Sequence, residues 1–362
     1  MAGKRVIIIG AGFGGLLCGR VLSRKGFDVT LLEQGRQAGG ALQTFVREGI
    51  RFDTGFHSVG GLGPGEPLEA IFRPLGLMDL PWVRTDLDEI VGQGDCFLRL
   101  SSGWTEEVAH VLGPYRLSSW RLKGGGKTLA DALSEGLDVQ LRKKVVSIED
   151  HVVTCEDGSA YRGDIVIAAI HPQVMVKLLK DSVRPAYRKR IGMLKNGPGV
   201  VTVNAKLRPG TLRFINHSIF IRNSVMIHFG EPDEAGFARS VDLLGFAPAG
   251  EDMASAGEDR HARLDRASLA NEYIQTAARR LPGLPQAIEK YWVSTPQTWE
   301  HFTGTPGGTA YGILKYGPED FLPPVTPLPW LFLTGQNIGL HGILGTAVSA
   351  INTCKSIESS LS

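Results

Sequence analysis

Short apolar runs alternate with longer segments of helical period along this chain. Val6 to Ile9 form an uninterrupted apolar run, the composition of a strand buried on both faces of a parallel sheet. Gly10-Ala11-Gly12-Phe13-Gly14-Gly15 follows and opens a helix predicted to reach about Lys25, where Gly26 stops it. Asp28 to Leu32 read as a second strand with Glu33 at its tip. Further on, Val139 to Ile148 and Tyr161 to Ile170 are strand-rich, and His171-Pro172 follows a strand tip. Strands are predicted at Gly199 to Lys206, Ser218 to Phe229 and Ser240 to Phe246. An amphipathic helix over Asp259 to Leu281 carries Leu264, Leu269, Tyr273, Ile274 and Ala277 and ends before Pro282-Gly283. Near the C-terminus, Trp330 to Thr334 are strand-like, Gly335 breaks the strand, and Ile343 to Ser356 have helical period.

The first of these units carries chemistry. Gly10, Gly12 and Gly15 have the spacing of a dinucleotide fingerprint within a strand-turn-helix-strand. Gly10 permits the tight turn, Gly12 lets the backbone approach a pyrophosphate, and Gly15 lets helix and strand pack closely. The helix N-terminus faces the phosphate charge. Glu33 can accept hydrogen bonds from ribose hydroxyls and would repel a 2′-phosphate.

Composition narrows the class. The 362 residues exceed what one core serves, so two domains are expected. A net charge of +2 with no basic run argues against a nucleic-acid partner. Apolar runs are shorter than the roughly 18 residues a membrane helix needs, and the N-terminal run is too short for a signal peptide. Cys18, Cys96, Cys155 and Cys354 are far apart and read as reduced structural thiols, which places the protein in the cytoplasm. The histidines form no metal-ligand spacing, so no metal is expected. Ser101-Ser102 and Ser118-Ser119 lack the turn of a hydrolase nucleophile, and Asp86, Asp88 and Glu89 read as a solvated acidic turn.

Beyond Glu33, the Gly35-Arg36-Gln37-Ala38-Gly39-Gly40 loop and the C-terminal Leu333-Thr334-Gly335-Gln336-Asn337-Ile338-Gly339-Leu340-His341-Gly342 resemble the FAD-dependent amine oxidase and phytoene desaturase superfamily. The resemblance is nearest to the branch of carotenoid desaturases and isomerases and retinol 13,14-reductase-like (retinol saturase) proteins. Phe52 to His57, Gly124-Gly125-Gly126 before Leu129, the Asp164 to Ala169 strand and Thr303 to Gly308 ahead of Tyr311 fit the same pattern. It implies an α/β fold: a Rossmann-like FAD-binding domain of glutathione-reductase-like, amine oxidase type, with a second, mainly antiparallel α+β substrate domain. Residues 1–75, 121–175 and 325–362 would form the FAD-binding domain, and 76–120 with 176–324 the substrate domain. Members of the branch normally carry a longer insertion where this chain has only 76–120, which puts substrate size and membrane docking in question.

The resemblance assigns FAD contacts to Gly10, Gly12, Phe13, Gly14, Gly15, Glu33, Gln34, Gly39, Gly40, Ala41, Leu42, Val145, Ala168, Ala169, Gly335, Gln336, Asn337, Gly342, Ile343 and Leu344. The helix starting near Gly342 would aim its N–H groups at the flavin pyrimidine edge. Candidate proton donors or acceptors are His57, Tyr311 and His341, each in a glycine-flanked loop. The two histidines could equally bond loop carbonyls, and Tyr311 could be a cavity wall. Trp292, Trp299 and Phe302 read as core, or as walls of an apolar cavity suited to a polyene.

The expected activity is FAD-dependent desaturation, saturation or isomerisation of carbon–carbon bonds in a small hydrophobic, isoprenoid or polyene substrate, with peripheral membrane contact left open. The rivals are a flavin amine oxidase, for which Lys206 or Lys315 would have to stand beside the flavin, and a non-catalytic prenyl-binding escort like the Rab GDP dissociation inhibitors. An NAD-linked dehydrogenase is disfavoured by the C-terminal return to the cofactor site.

Overall fold

A computed structural model describes residues 3–86, 89–91, 97–99, 118–221, 225–247 and 266–361. The expectations for Asp88, Cys96, Ser101-Ser102 and residues 259–265 lie outside them. Five parallel strands form one sheet in the order Asp138–Gln140, Asp28–Leu32, Arg5–Ile9, Ile165–Ala168, Leu331–Leu333. Its central strand is apolar on consecutive residues because both faces are covered. Val6 and Ile8 pack with Leu16, Leu17 and Leu22 of the first helix, Phe13–Arg24, and with Ala347, Ala350 and Ile357 of the C-terminal helix, Gly342–Leu361. Ile7 and Ile9 pack on the opposite side with Ile148, Val153 and Met175, from a three-stranded antiparallel sheet and the helix Pro172–Leu178.

A second sheet runs Ile288–Ser294, Val200–Leu207, Ser240–Phe246, Met226–Phe229, Ile219–Ile221, Glu89–Val91, Phe97–Arg99. Its neighbours are antiparallel except the pair Ile219–Ile221 and Glu89–Val91. Strand alternation gives it two unlike faces. Val203, Ala205, Val241 and Leu243 bury against Ala270, Tyr273, Ile274 and Ala277 of the helix Arg266–Ala278. The other face carries Thr202, Asn204, His228 and Asp242, all buried and all polar.

One run expected to be a strand and two read as strand-rich are each divided. Ser218 to Phe229 is a hairpin of Ile219–Ile221 and Met226–Phe229, and the polar Arg222-Asn223-Ser224 separates the two in sequence. Val139 to Ile148 breaks where Arg142 takes φ 57°, sending Asp138–Gln140 to the parallel sheet and Val145–Glu149 to the antiparallel one. Tyr161 to Ile170 divides likewise between those two sheets, as Ala160–Arg162 and Ile165–Ala168. The helix expected to reach Leu281 ends at Ala278, and turn hydrogen bonds from the Arg280 and Leu281 N–H groups to the Ala277 carbonyl carry the chain on to Pro282. Glu89, read as part of a solvated turn, is instead 5% exposed and bound by Arg280, with Nη2 donating to Oε2 at 2.8 Å. Cys18, Cys155 and Cys354 are buried free thiols. Among the described residues no group of histidine, cysteine or acidic side chains could hold a metal, and no helix is long and apolar enough to cross a membrane.

Candidate active site

The N-terminal strand ends in a turn whose glycines have different jobs. Gly10 sits at φ +96°, and its N–H donates to the Leu32 carbonyl at 2.8 Å, tying the turn to the neighbouring strand. A Cβ on Gly15 would fall 2.1 Å from the Gly10 carbonyl oxygen, so helix and strand touch there. Gly12 is unlike both. Its φ is −72°, and a Cβ there would meet nothing nearer than the Gly40 Cα at 3.9 Å. The protein itself does not require glycine at this position; a group occupying the open space does.

That space belongs to a cleft of about 330 Å³. Glu33 lines it and is held by the backbone: Oε2 accepts from the Ala11 N–H at 2.9 Å and Oε1 from the Gly35 N–H at 2.7 Å. The first helix begins at the cleft without a side-chain cap or an acidic residue in its first turn, so its terminal N–H groups are available to an anion. The C-terminal helix starts at Gly342, and Gly342, Ile343 and Thr346 also line the cleft. Between strand and helix, Gln336 Nε2 donates to the Ala310 carbonyl at 3.0 Å, and Asn337 Oδ1 accepts from Ile313 N–H at 3.0 Å. Asn337 fits only because Gly312, at φ +69°, has no side chain: a Cβ would lie 1.9 Å from its Oδ1. An uncapped helix start, a second helix start at Gly342, a glycine with open space beside it and a carboxylate at the second strand tip are the parts a dinucleotide cofactor needs, so the residues present fit FAD.

Of the residues expected to contact it, Gly10, Gly12, Phe13, Gly14, Glu33, Gln34, Gly39, Gly40, Ala41, Leu42, Val145, Ala169, Gly335, Gln336, Asn337, Gly342 and Ile343 line the cleft. Gly15, Ala168 and Leu344 do not. Gly15 is turned onto the strand, Ala168 is fully buried in register with Ile9 and Leu333, and Leu344 packs on the helix core. Trp299 and Phe302 line the cleft, whereas Trp292 packs edge-on against Phe52. His171 was passed over as a site residue, although it also lines the cleft. Its Nδ1 accepts from the Gln173 N–H at 3.2 Å, burial lowers its pKa to about 4, and its buried Nε2 has no partner. A histidine before proline at a strand tip was its only signal.

The three proton candidates separate. Tyr311 lines the cleft, and the His341 ring lies against it with centroids 4.2 Å apart. Desolvation raises the Tyr311 phenol, while burial and then nearby Lys315 lower the His341 imidazole, so both are neutral at pH 7. His57 does not reach the cleft. Its neighbours Phe56 and Ser58 line it, and alternation along the loop turns His57 the other way, into a separate polar pocket. There its ring stacks on His228 at 4.1 Å, and Nδ1 stands 3.8 Å from Asp242 Oδ2. Neither lysine considered for an amine oxidase lines the cleft: Lys206 pairs with Glu289 at 2.8 Å, and Lys315 donates to the Ile313 carbonyl at 2.8 Å.

Burial raises Asp242 from 3.8 to about 8 and lowers His57 from 6.5 to about 4. Between pH 4 and 8 the folded state therefore keeps an Asp242 proton that the unfolded chain has lost, and stability falls as pH rises. His57 has the opposite slope only below 6.5, so the window from pH 6.5 to 8 isolates the carboxyl groups. In Asp242→Asn the side-chain oxygen can still accept from Asn204 Nδ2, which bonds Asp242 Oδ1 at 2.6 Å. The variant is expected to gain about 1–3 kcal/mol at pH 8.5 and to lose most of the pH slope above 6.5. Denaturant midpoints at several pH values check this; a variant as pH-sensitive as the parent refutes the assignment.

A Rossmann-like sheet joined to an antiparallel sheet, with a dinucleotide cleft closed by a C-terminal strand-turn-helix, defines an FAD-dependent oxidoreductase. Residues 86–357 match the flavin containing amine oxidoreductase family, and the chain belongs to it; residues 8–75 match the NAD(P)-binding Rossmann-like domain. All-trans-retinol 13,14-reductase of Macaca fascicularis is 41% identical over 110 residues, which is 30% of this chain and 18% of that protein. A 4,4'-diapophytoene desaturase of Methylomonas is 42% identical over 52 residues, 14% of this chain and 10% of that one. The matched stretches thus span less than a fifth of these relatives. In fold, the chain superposes on putrescine oxidase bound to putrescine with a TM-score of 0.73, at 15% identity and over 99% of both chains.

Proposed function

We propose that this oxidoreductase acts on carbon–carbon bonds of a hydrophobic, isoprenoid or polyene substrate, by desaturation, saturation or isomerisation. The observation that carries this reading is the lining of the cleft. Phe56, Trp299, Phe302, Tyr311 and Ile343 are part of it, and the one carboxylate among the described lining residues, Glu33, has both oxygens taken by the Ala11 and Gly35 N–H groups. An apolar, aromatic wall suits a polyene and gives an ammonium substrate no counter-charge. The matches to a retinol reductase and a diapophytoene desaturase support the same class.

Bound FAD supplies hydride acceptance or donation. The chain's own residues orient the substrate against it and exclude water. Tyr311 and His341, in ring contact and both neutral, can hold or pass a proton at the phenol oxygen and the imidazole nitrogen. Anaerobic mixing of the oxidised protein with a polyene and, separately, with putrescine tests the class. Bleaching of the flavin by the polyene, or consumption of the polyene by dithionite-reduced protein, is the expected result. Bleaching by putrescine alone replaces the reading with amine oxidation.

A further inference from the structure

We propose that the polar pocket on the far side of His57 is a binding site for a small oxyanion, a carboxylate or a phosphate, separate from the flavin cleft. The pocket is about 210 Å³, smaller than the flavin cleft and roomy enough for a small anion. It is walled by the loop carrying His57, the Gly124–Gly125 turn and the polar face of the antiparallel sheet.

Its hydrogen-bonding groups are unequal in a way that favours an anion. The three carboxylates are already engaged by the walls: Asp53 accepts from the Gly126 N–H at 2.7 Å, Asp242 from the Asn204 amide at 2.6 Å, and Glu231 from the Gly124 N–H at 2.7 Å. The cations are held less closely. Arg51, Arg121, Lys123 and Arg239 line the pocket; Arg51 and Arg121 feel the charges of Asp53 and Glu231, but among the described residues no hydrogen bond or ion pair within 4 Å takes up their donors. Arg121 lies with its guanidinium carbon 4.4 Å from the centre of the Phe214 ring, a contact that leaves the in-plane N–H donors unspent. Burial also raises Asp53 to about 7 and Asp242 to about 8, which lowers the negative charge of the floor near neutral pH.

The His57 side chain lines this pocket but is only 10% exposed, and its Nε2 is enclosed by protein, so the arginines and Lys123 make the contacts. An oxyanion among them would accept from their N–H groups, with the bidentate geometry that guanidinium offers carboxylate and phosphate. The inference is independent of the substrate class proposed above.

Calorimetric titration of the full-length, FAD-loaded protein with inorganic phosphate and, separately, with succinate tests it; bound FAD keeps phosphate out of the pyrophosphate site. At least one probe is expected to bind one equivalent with a Kd below about 1 mM. Arg239→Gln and Arg121→Gln should each weaken that binding roughly tenfold, and Lys144→Gln, whose lysine pairs with Glu156 elsewhere, should not. Phosphate alone identifies a phosphorylated occupant, succinate alone a carboxylate, and both together an unselective oxyanion site; all three uphold the proposal. No saturable binding of either probe, or equal binding in the arginine variants, overturns it. Arg239 is exposed, so its variant decides the matter even where Arg121→Gln does not fold.

Discussion

Gly12→Asp is expected to give a folded protein that purifies without flavin. The position has room for a side chain, since the nearest protein atom to a Cβ is 3.9 Å away, so folding has no reason to fail. The added carboxylate would stand in the cleft at the start of the first helix, where the cofactor's pyrophosphate must approach. Like charges there cost about 3 kcal/mol or more, roughly a hundredfold or greater loss of affinity. Visible absorbance of the purified variant, with a melting curve to establish folding, is the measurement. Gly12→Ala supplies the control, because it fills a little of the space without charge and should retain part of the flavin. Stoichiometric FAD in folded Gly12→Asp would mean that the cofactor lies elsewhere.

Gly15→Ala should do the reverse and damage the fold directly. Its Cβ would lie 2.1 Å from the Gly10 carbonyl oxygen and 3.0 Å from the Ala169 Cβ. Both neighbours belong to central strands of the parallel sheet or to the turn leaving it, and neither can yield without moving backbone. Overpacking of that kind costs about 3 kcal/mol or more, and the variant is expected to be poorly soluble or to unfold at clearly lower denaturant concentration. An unchanged denaturant midpoint would show that the helix can shift along the strand, and the close packing assigned to Gly15 would be wrong. The same type of change three residues apart thus separates two roles that the glycine spacing presents as one.

The parts of this protein legible without coordinates are those whose cause lies within about thirty residues. Strand, turn, helix and second strand of the fingerprint follow one another along the chain, and each glycine's neighbours are local or reached by a single return strand. The C-terminal strand-turn-helix was legible for the same reason. His57 was not: its distance from the cleft depends on which way one residue of a loop turns, and both walls it chooses between are built by segments far away in sequence. The polar pocket was wholly hidden. Asn204, His228 and Asp242 come together only through strand register, Asn204 and His228 both opposite Asp242, and a shift of one residue would turn all of them to the other face. The carboxylate Glu89 was misread on the same ground, because its buried partner Arg280 lies 191 residues further on.

The sequence by itself determined the dinucleotide fingerprint and the strand-turn-helix units near the two ends of the chain, because apolar period and glycine spacing act over short stretches, while FAD followed from the family resemblance of the Gly35–Gly40 and Leu333–Gly342 segments. Only the tertiary structure decided that Tyr311 and His341 touch while His57 turns away, and that Asp242 is buried beside two stacked histidines. Burial, register and charge environment are properties of segments brought together from across the chain, and no local pattern encodes them.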